Sequence, residues 1–427
     1  MDSKNQKNNK KRSNSESDVY NFKIKQRCRY DEYFRSQNRN TQIDLLDKED
    51  EIYNSLDNKI PLRYVIINSS LPINTKSLIL NKIDIFENMN VEDNEYTKMY
   101  KWINGLSKIP FDIYSKLPIS INENNSKIQN FLVSSFNFLK KTIYGQNKAK
   151  NKIMQILAQW ISNPNSQGQV IALEGPAGVG KTSLIKNGVS KVLQRPFSFY
   201  ALGGSSDSSV LEGHSFTYEG SNWGKITDML MMSKVMNPII FFDELDKISI
   251  SDKGNDINGL LIHLTDYTQN SLFQDKYFSG IDLDLSKSIF FFSYNDVNNI
   301  NKILKDRLTI VKFDGYSIYE KMEIMKKYII NDILENIGIN SNEIILEDDQ
   351  IFYILKKYCE KDEGMRNSKR IFEELFLRIN LLKLISNGKS NNVDKKLEID
   401  YNIENLKFPL NLTKKNIDIL LKNHSLN

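Results

Sequence analysis

The chain has 427 residues, of which 40% are hydrophobic and 26% charged, with 58 Lys and Arg against 53 Asp and Glu for a net charge of +5. At roughly 150 residues per domain this length holds two or three domains with a sizeable core, and the balance is that of a globular protein. No apolar run approaches the roughly 18 residues of a membrane-spanning helix, two cysteines with three histidines exclude a disulfide framework and clustered zinc ligands, and so mild a charge does not by itself argue for nucleic acid as the main ligand.

Residues 1–43 mix Asn, Ser, Lys and Arg, include Lys10-Lys11-Arg12, and show no hydrophobic period. Such a stretch reads as a disordered basic arm, with nucleic-acid contact or nuclear import as its functional alternatives. It lacks the apolar segment of a secretory signal, and Asp2, Glu16 and Asp18 stand where a mitochondrial presequence avoids acids. Cytoplasm or nucleus is the expected location. Residues 44–125 read as helices, and Tyr100, Trp102, Leu106, Ile109 and Phe111 form an apolar cluster expected to pack against a later element. Apolar spacing predicts further helices over 128–138 and 149–160. The pattern then changes. Val170 to Leu173, Ile239 to Phe242 and Ile289 to Phe292 are short continuous apolar runs separated by helical stretches, as a parallel sheet buried on both faces requires. From Tyr316 the period becomes helical again, over 318–333 and 367–384. The fold class expected is α/β, with a doubly wound subdomain over 126–315 and a helical domain over 316–427.

The first apolar run leads into Gly175-Pro176-Ala177-Gly178-Val179-Gly180-Lys181-Thr182, a full match to the phosphate-binding loop G-x-x-x-x-G-K-[ST]. Glycines let backbone N–H groups curl around phosphate oxygens, and the helix that follows adds its positive end. Lys181 is expected on the β- and γ-phosphates and the Thr182 hydroxyl on Mg²⁺. The second run ends in Asp243-Glu244. A carboxylate there suits Mg²⁺, held through water by Asp243, and its neighbour Glu244 suits a general base for the attacking water.

Beyond these motifs the wording resembles the AAA+ ATPase module of the Lon proteases. Leu202-Gly203-Gly204, Gly213-His214, Thr217-Tyr218 and Gly224-Lys225-Ile226 are similar to the family's segment between its nucleotide motifs. Asn237-Pro238 leads into Asp243-Glu244-Leu245-Asp246-Lys247, and Asn270, Phe273, Asp275, Tyr277 and Asp284-Leu285-Ser286-Lys287 follow in register. The resemblance runs from about Glu95 to the C-terminus.

The resemblance implies an AAA+ fold with a helical lid, ATP and Mg²⁺ as ligands, and a homo-oligomeric ring, hexameric if it follows the family. It casts Asn295 as the polar sensor-1 residue, although an Asx turn would use the same residue. Arg307, after Asp306, is cast as an arginine finger acting on a neighbouring subunit, and Arg366, in Gly364-Met365-Arg366, as the lid's sensor-2 residue. Tyr144-Gly145 is either the adenine-side position or a plain turn. Tyr218 resembles the pore-loop aromatic that grips a polypeptide substrate, but Glu219 replaces the usual aliphatic neighbour and would favour basic segments. Phe216 and Trp223 also depart from the family's wording and serve either the loop or the core. The chain stops after Leu412 to Ile417, which is similar to the last helix before the family's Ser-Lys peptidase domain. Proteolysis is therefore not expected from this chain alone. The expected activity is ATP hydrolysis coupled to protein unfolding or remodelling, as by a chaperone, and the alternative is an ATPase recruited to nucleic acid through the basic arm.

Overall fold

The computed structural model describes residues 32–56, 60–93, 95–164, 166, 168–205, 207–248, 252–387, 401–403 and 406–422. They fall into two compact units divided between Asn68 and Ser69. In the first, helices span Glu32–Ser36, Arg39–Leu56 and Leu62–Asn68. Helical structure thus reaches back into the stretch expected to be arm. Its local cause is Asn38, whose Oδ1 accepts from the Thr41 N–H at 2.9 Å and hydroxyl at 3.0 Å, the bond an N-cap makes to the third helical residue. Residues 1–31, with Lys10-Lys11-Arg12, lie outside the described residues.

The second unit opens with helices Ile73–Glu87, Tyr96–Ser107, Asn125–Thr142 and Asn147–Ser162, which lead into a sheet. Its strands are β1 (Val170–Glu174), β2 (Phe197–Ala201), β3 (Ile239–Asp243), β6 (Ile289–Tyr294) and β7 (Thr309–Lys312), all parallel, in the order β2-β3-β6-β1-β7. Two-residue strands β4 (Phe273–Gln274) and β5 (Asp282–Leu283) pair antiparallel to each other. The three expected apolar runs are the three central strands. Their Val, Ile and Phe side chains are buried on both faces, and Phe242 stacks on Phe292 at 5.3 Å between centroids. The edge strands β2 and β7 escape a search for apolar runs because they carry polar residues and stay half-exposed. In register, Leu173 lies beside Ser293 and Phe242 beside Phe292. The strands therefore end together, and Gly175, Asp243 and Asn295 emerge side by side in the crevice where open α/β sheets bind ligands.

The C-terminal helices Ile318–Ile324, Ile330–Ile337, Asp348–Tyr358, Arg366–Asn387 and Lys414–Leu420 enclose their own core of Met325, Ile354, Phe372, Phe376, Leu412 and Ile417. Ser317 and Glu320 form a reciprocal capping box at its start. The helix expected over 318–333 continues through a π-helical turn at Met325–Ile329 and ends at Gly338, φ +81°.

In the expected apolar cluster, Trp102 and Leu106 are fully buried and Ile109 and Phe111 nearly so. The Trp102 ring lies 5.8 Å from Phe278, and its Nε1 donates to the Tyr277 carbonyl at 3.2 Å. Tyr100 is the exception, 53% exposed, because residues two apart on a helix face different ways. Gly105, on the buried face, permits close packing: a Cβ there would stand 2.8 Å from Trp223 Cζ3 and 3.0 Å from Phe278 Cζ. Half-buried Trp223 and Phe216 both pack edge-on against buried Tyr277, so these two aromatics border the core. Gly105→Leu is expected to destabilise the protein by about 1–3 kcal/mol through overpacking. Urea unfolding should show a lower midpoint with an unchanged slope, and an unshifted midpoint would show that this contact gives way freely.

Candidate active site

Between β1 and the helix that starts at Lys181, the loop turns through Gly178 at φ +81° and Gly180 at φ +93°, conformations that side chains with a Cβ rarely adopt. Space is as tight as geometry, since a Cβ on Gly178 would lie 2.9 Å from the Arg366 nitrogen. Lys181 is buried, and its Nζ donates to the Gly175 carbonyl, to the Tyr294 carbonyl at 3.1 Å and to Asn295 Oδ1 at 2.7 Å. Burial is the main cause that brings its pKa down to about 8; Arg366 acts in the same direction, whereas Asp243 and Asp246 oppose it.

Asp243 ends β3, and its Oδ1 accepts from the Ser293 hydroxyl and from the Glu244 N–H at 3.0 Å. The next residue turns out of the strand in the left-handed region: Glu244 has φ +59°. Its exposed side chain lies over Gly203, where a Cβ would stand 2.0 Å from Glu244 Oε2. Asp246, two residues on and buried, accepts from the backbone N–H of Asn295 at 3.3 Å and of Asp296 at 3.1 Å. It thereby ties the end of β3 to the turn that carries Asn295. No local sequence pattern marks Ser293 or Asp246 for these tasks.

The helical domain closes the other side. The Met365 N–H donates to the Gly178 carbonyl at 3.0 Å, and a Cβ on Gly364 would lie 2.0 Å from the Ala177 carbonyl oxygen, so Gly364-Met365-Arg366 rests directly on the phosphate loop. Clefts of about 370 and about 470 Å³ flank that contact; Arg366 and Arg370 line the first, and Asn295, Lys312 and Glu363 the second. Tyr144 and Gly145 stand at the same junction. Buried Lys150 donates to the carbonyls of Ile143 at 2.7 Å and Gly145 at 2.6 Å, and the Tyr316 hydroxyl reaches the carbonyls of Tyr144 at 3.1 Å and Val179 at 3.0 Å. Burial lowers the Lys150 pKa to about 8. A lysine spent on carbonyls carries no motif, which is why it went unnoticed in the sequence.

Two expected residues stand apart from this group. Arg307 pairs with Asp266 at 2.6 Å and donates to the Ile262 carbonyl at 3.3 Å. Hydrogen bonds from Thr268, and then from Arg307, hold the Asp266 carboxyl down to about 2. Tyr218 is 68% exposed at the tip of the segment 213–224. The segment is pinned along its length: Lys98 donates to the Thr217 carbonyl at 3.3 Å, beside the tip, Lys101 to the Ser221 carbonyl at 2.9 Å, and the Gly224 N–H to buried Asp275 at 2.8 Å at the base. Burial raises the Asp275 carboxyl to about 6 against the lowering effect of Thr227, Gly224 and Tyr277.

A five-stranded parallel sheet with a phosphate loop after one central strand, paired acids after the next and a helical domain resting on the loop defines the AAA class of P-loop ATPases. Residues 171–316 match that family, the ATPase family associated with various cellular activities (AAA). The chain is 37% identical over 331 residues to the Lon protease homolog of Acanthamoeba polyphaga mimivirus, covering 77% of this chain and 32% of that protein. It is 36% identical over 341 residues to the Lon protease of Campylobacter jejuni, covering 76% and 41%. With Lon protease 2 of Borreliella burgdorferi it shares 32% over 356 residues, covering 80% and 44%. The chain carries an AAA ATPase domain, and the module around it is similar to that of the Lon proteases. It spans between about a third and under a half of the length of these relatives. Among the described residues no helix is long and apolar enough to cross a membrane.

Proposed function

We propose that this chain binds ATP with Mg²⁺ at the phosphate loop, hydrolyses it with the help of a neighbouring copy in a homo-oligomeric ring, hexameric as in the expectation above, and uses the cycle to unfold or remodel polypeptides. The observation that carries this reading is the convergence of Lys181, Asn295, Asp243 and the lid's Gly364-Met365-Arg366 on one loop. The residues present suit a magnesium nucleotide. The loop from Gly175 through Thr182, with Pro176, Ala177 and Val179 between its glycines, is a cradle with no room for extra Cβ atoms at Gly178. Asp243 uses Oδ1 for protein hydrogen bonds, leaving Oδ2 for a metal-bound water, and Thr182 would supply its hydroxyl as the other protein ligand. Among the described residues no group of three or more His, Cys, Asp or Glu forms a resident metal site. Mg²⁺ keeps most of its waters and takes one or two protein ligands beside phosphates, the number that Thr182 and Asp243 would supply. When bound, the ion neutralises charge on the phosphates.

Lys181 would exchange carbonyl partners for phosphate oxygens. Glu244 takes the proton of the attacking water, and Asn295 orients that water. Arg366 reaches the phosphates from the lid and so links nucleotide state to the angle between lid and sheet. Arg307, paired with Asp266, would meet the nucleotide of the adjoining subunit, and Tyr144-Gly145 would border the base. Tyr218 grips the polypeptide, and Glu219 biases the grip toward basic segments.

Turnover by the purified protein should rise with an unfolded basic polypeptide, and Tyr218→Ala should reduce that rise severalfold. Stimulation by DNA instead, sensitive to salt and lost when residues 1–43 are removed, would overturn the polypeptide assignment.

A further inference from the structure

At the amino ends of the strands, opposite the phosphate loop, lies a separate cleft of about 320 Å³. Arg195 precedes β2, Asn237 precedes β3, Lys287 precedes β6, and Trp160, Tyr114 and Lys116 complete the part of the wall that matters here. Among the described residues three cations line it and no Asp or Glu does. Asp112 and Asp284 stand near Tyr114, outside the lining.

Arg195 is the unusual member. Its Nη1 donates to the Lys287 carbonyl at 3.4 Å, a long bond. Its Nε is buried with no hydrogen-bond partner, and among the described residues it forms no ion pair. Its guanidinium lies 6.0 Å from the Trp160 ring centroid, the outer limit of a cation–π contact, which bonds none of its N–H donors. The side chain is half-buried, and a guanidinium partly withdrawn from water with a buried, unpartnered Nε and no carboxylate beside it is better satisfied when an anion arrives from outside. Burial also lowers its pKa to about 10.

The wall is built in advance. Asn237 clamps the chain at Ser115, accepting its N–H at 2.8 Å and donating to its carbonyl at 2.9 Å, and the Met236 N–H donates to the Ile113 carbonyl at 2.8 Å. These bonds hold Tyr114, Leu117 and Ile119 over the cleft. Lys287 sits with its Nζ 4.5 Å from the Tyr114 ring centroid, at the rim.

We propose that this cleft binds a small organic carboxylate with an apolar or aromatic body, its oxygens on Arg195 and Lys287 and its body against Trp160, Leu117 and Ile119. A planar carboxylate matches the guanidinium fork, which a lone ammonium would not demand, and the volume is that of a small ligand. The site is independent of the nucleotide reading. The same carboxylate could come from a free metabolite or from the C-terminus of a peptide.

The test is calorimetric titration of the full chain with N-acetylphenylalaninate, with its neutral amide, with inorganic phosphate, and with a short peptide ending in phenylalanine. The acid is expected to bind saturably, the amide not at all, and both Arg195→Gln and Lys287→Ala to weaken the acid by about tenfold or more. Peptide binding as tight as the acid's would support the proposal and identify a polypeptide end as the source; binding of the acid alone would support it with a metabolite as the source. No saturation by the acid in the millimolar range, equal binding of the amide, or displacement by equimolar phosphate would overturn it. If melting shows that Arg195→Gln does not fold, exposed Lys287→Ala decides, and an unchanged affinity there would overturn the proposal.

Discussion

Lys181→Ala is expected to abolish detectable nucleotide binding at concentrations that just saturate the unchanged protein. The side chain is buried, and its ammonium already bridges the loop at Gly175 to the end of β6 at Tyr294 and Asn295. It is therefore pre-positioned, so little side-chain entropy remains to be lost when phosphate oxygens replace the carbonyls. A hydrogen bond to a charged group is worth about 1.5–3 kcal/mol, and each 1.4 kcal/mol is about tenfold in affinity. Losing two such bonds together with the charge lowers affinity by about 100-fold or more. The variant also leaves the Tyr294 carbonyl and Asn295 Oδ1 without this donor, so thermal unfolding should be followed alongside. Calorimetry showing near-normal affinity in a folded variant would remove Lys181 from the site.

Glu244→Gln is expected to bind nucleotide and hold it uncleaved. A positioned general base contributes about 10²–10⁴-fold, and an amide cannot take the proton, whereas its size and the left-handed backbone at φ +59° are preserved. The geometry supplies a companion variant. A Cβ at Gly203 would stand 2.0 Å from Glu244 Oε2, and since that atom ends a flexible side chain, Gly203→Ala should displace the carboxylate without unfolding β2 or β3. Turnover should fall in Gly203→Ala while binding persists. Wild-type turnover in Glu244→Gln would mean that another group takes the proton.

The central strands were legible because burial on both faces demands unbroken apolar runs, and Ile239 to Phe242 or Ile289 to Phe292 can hardly be anything else. The phosphate loop was legible because its chemistry demands glycines and a lysine at fixed spacing. Resemblance, not periodicity, pointed to Asn295, Arg307, Arg366 and Tyr144. What stayed hidden acts across long stretches of chain: Asp246 holds Asn295 from 49 residues away, and Tyr316 reaches Val179 from 137. Such pairs leave no local pattern, since their spacing is set by the fold. Asp266 is hidden for the same reason, since it pairs with Arg307 at 2.6 Å from 41 residues away. The arm's first residues show the opposite case, a composition with a plain reading and no described structure beside it.

The most direct measurement mixes two variants, Lys181→Ala, which keeps the finger, and Arg307→Ala, which keeps the phosphate loop. An arginine finger is worth about 10³–10⁵-fold in turnover, so each variant alone should be nearly inactive. If a site is completed by the adjoining subunit, ATP turnover should reappear when the two are mixed, in proportion to interfaces that pair an intact loop with an intact finger. Wild-type turnover by Arg307→Ala alone, or mixtures that stay inactive although both variants fold and assemble together, would contradict hydrolysis between neighbouring subunits.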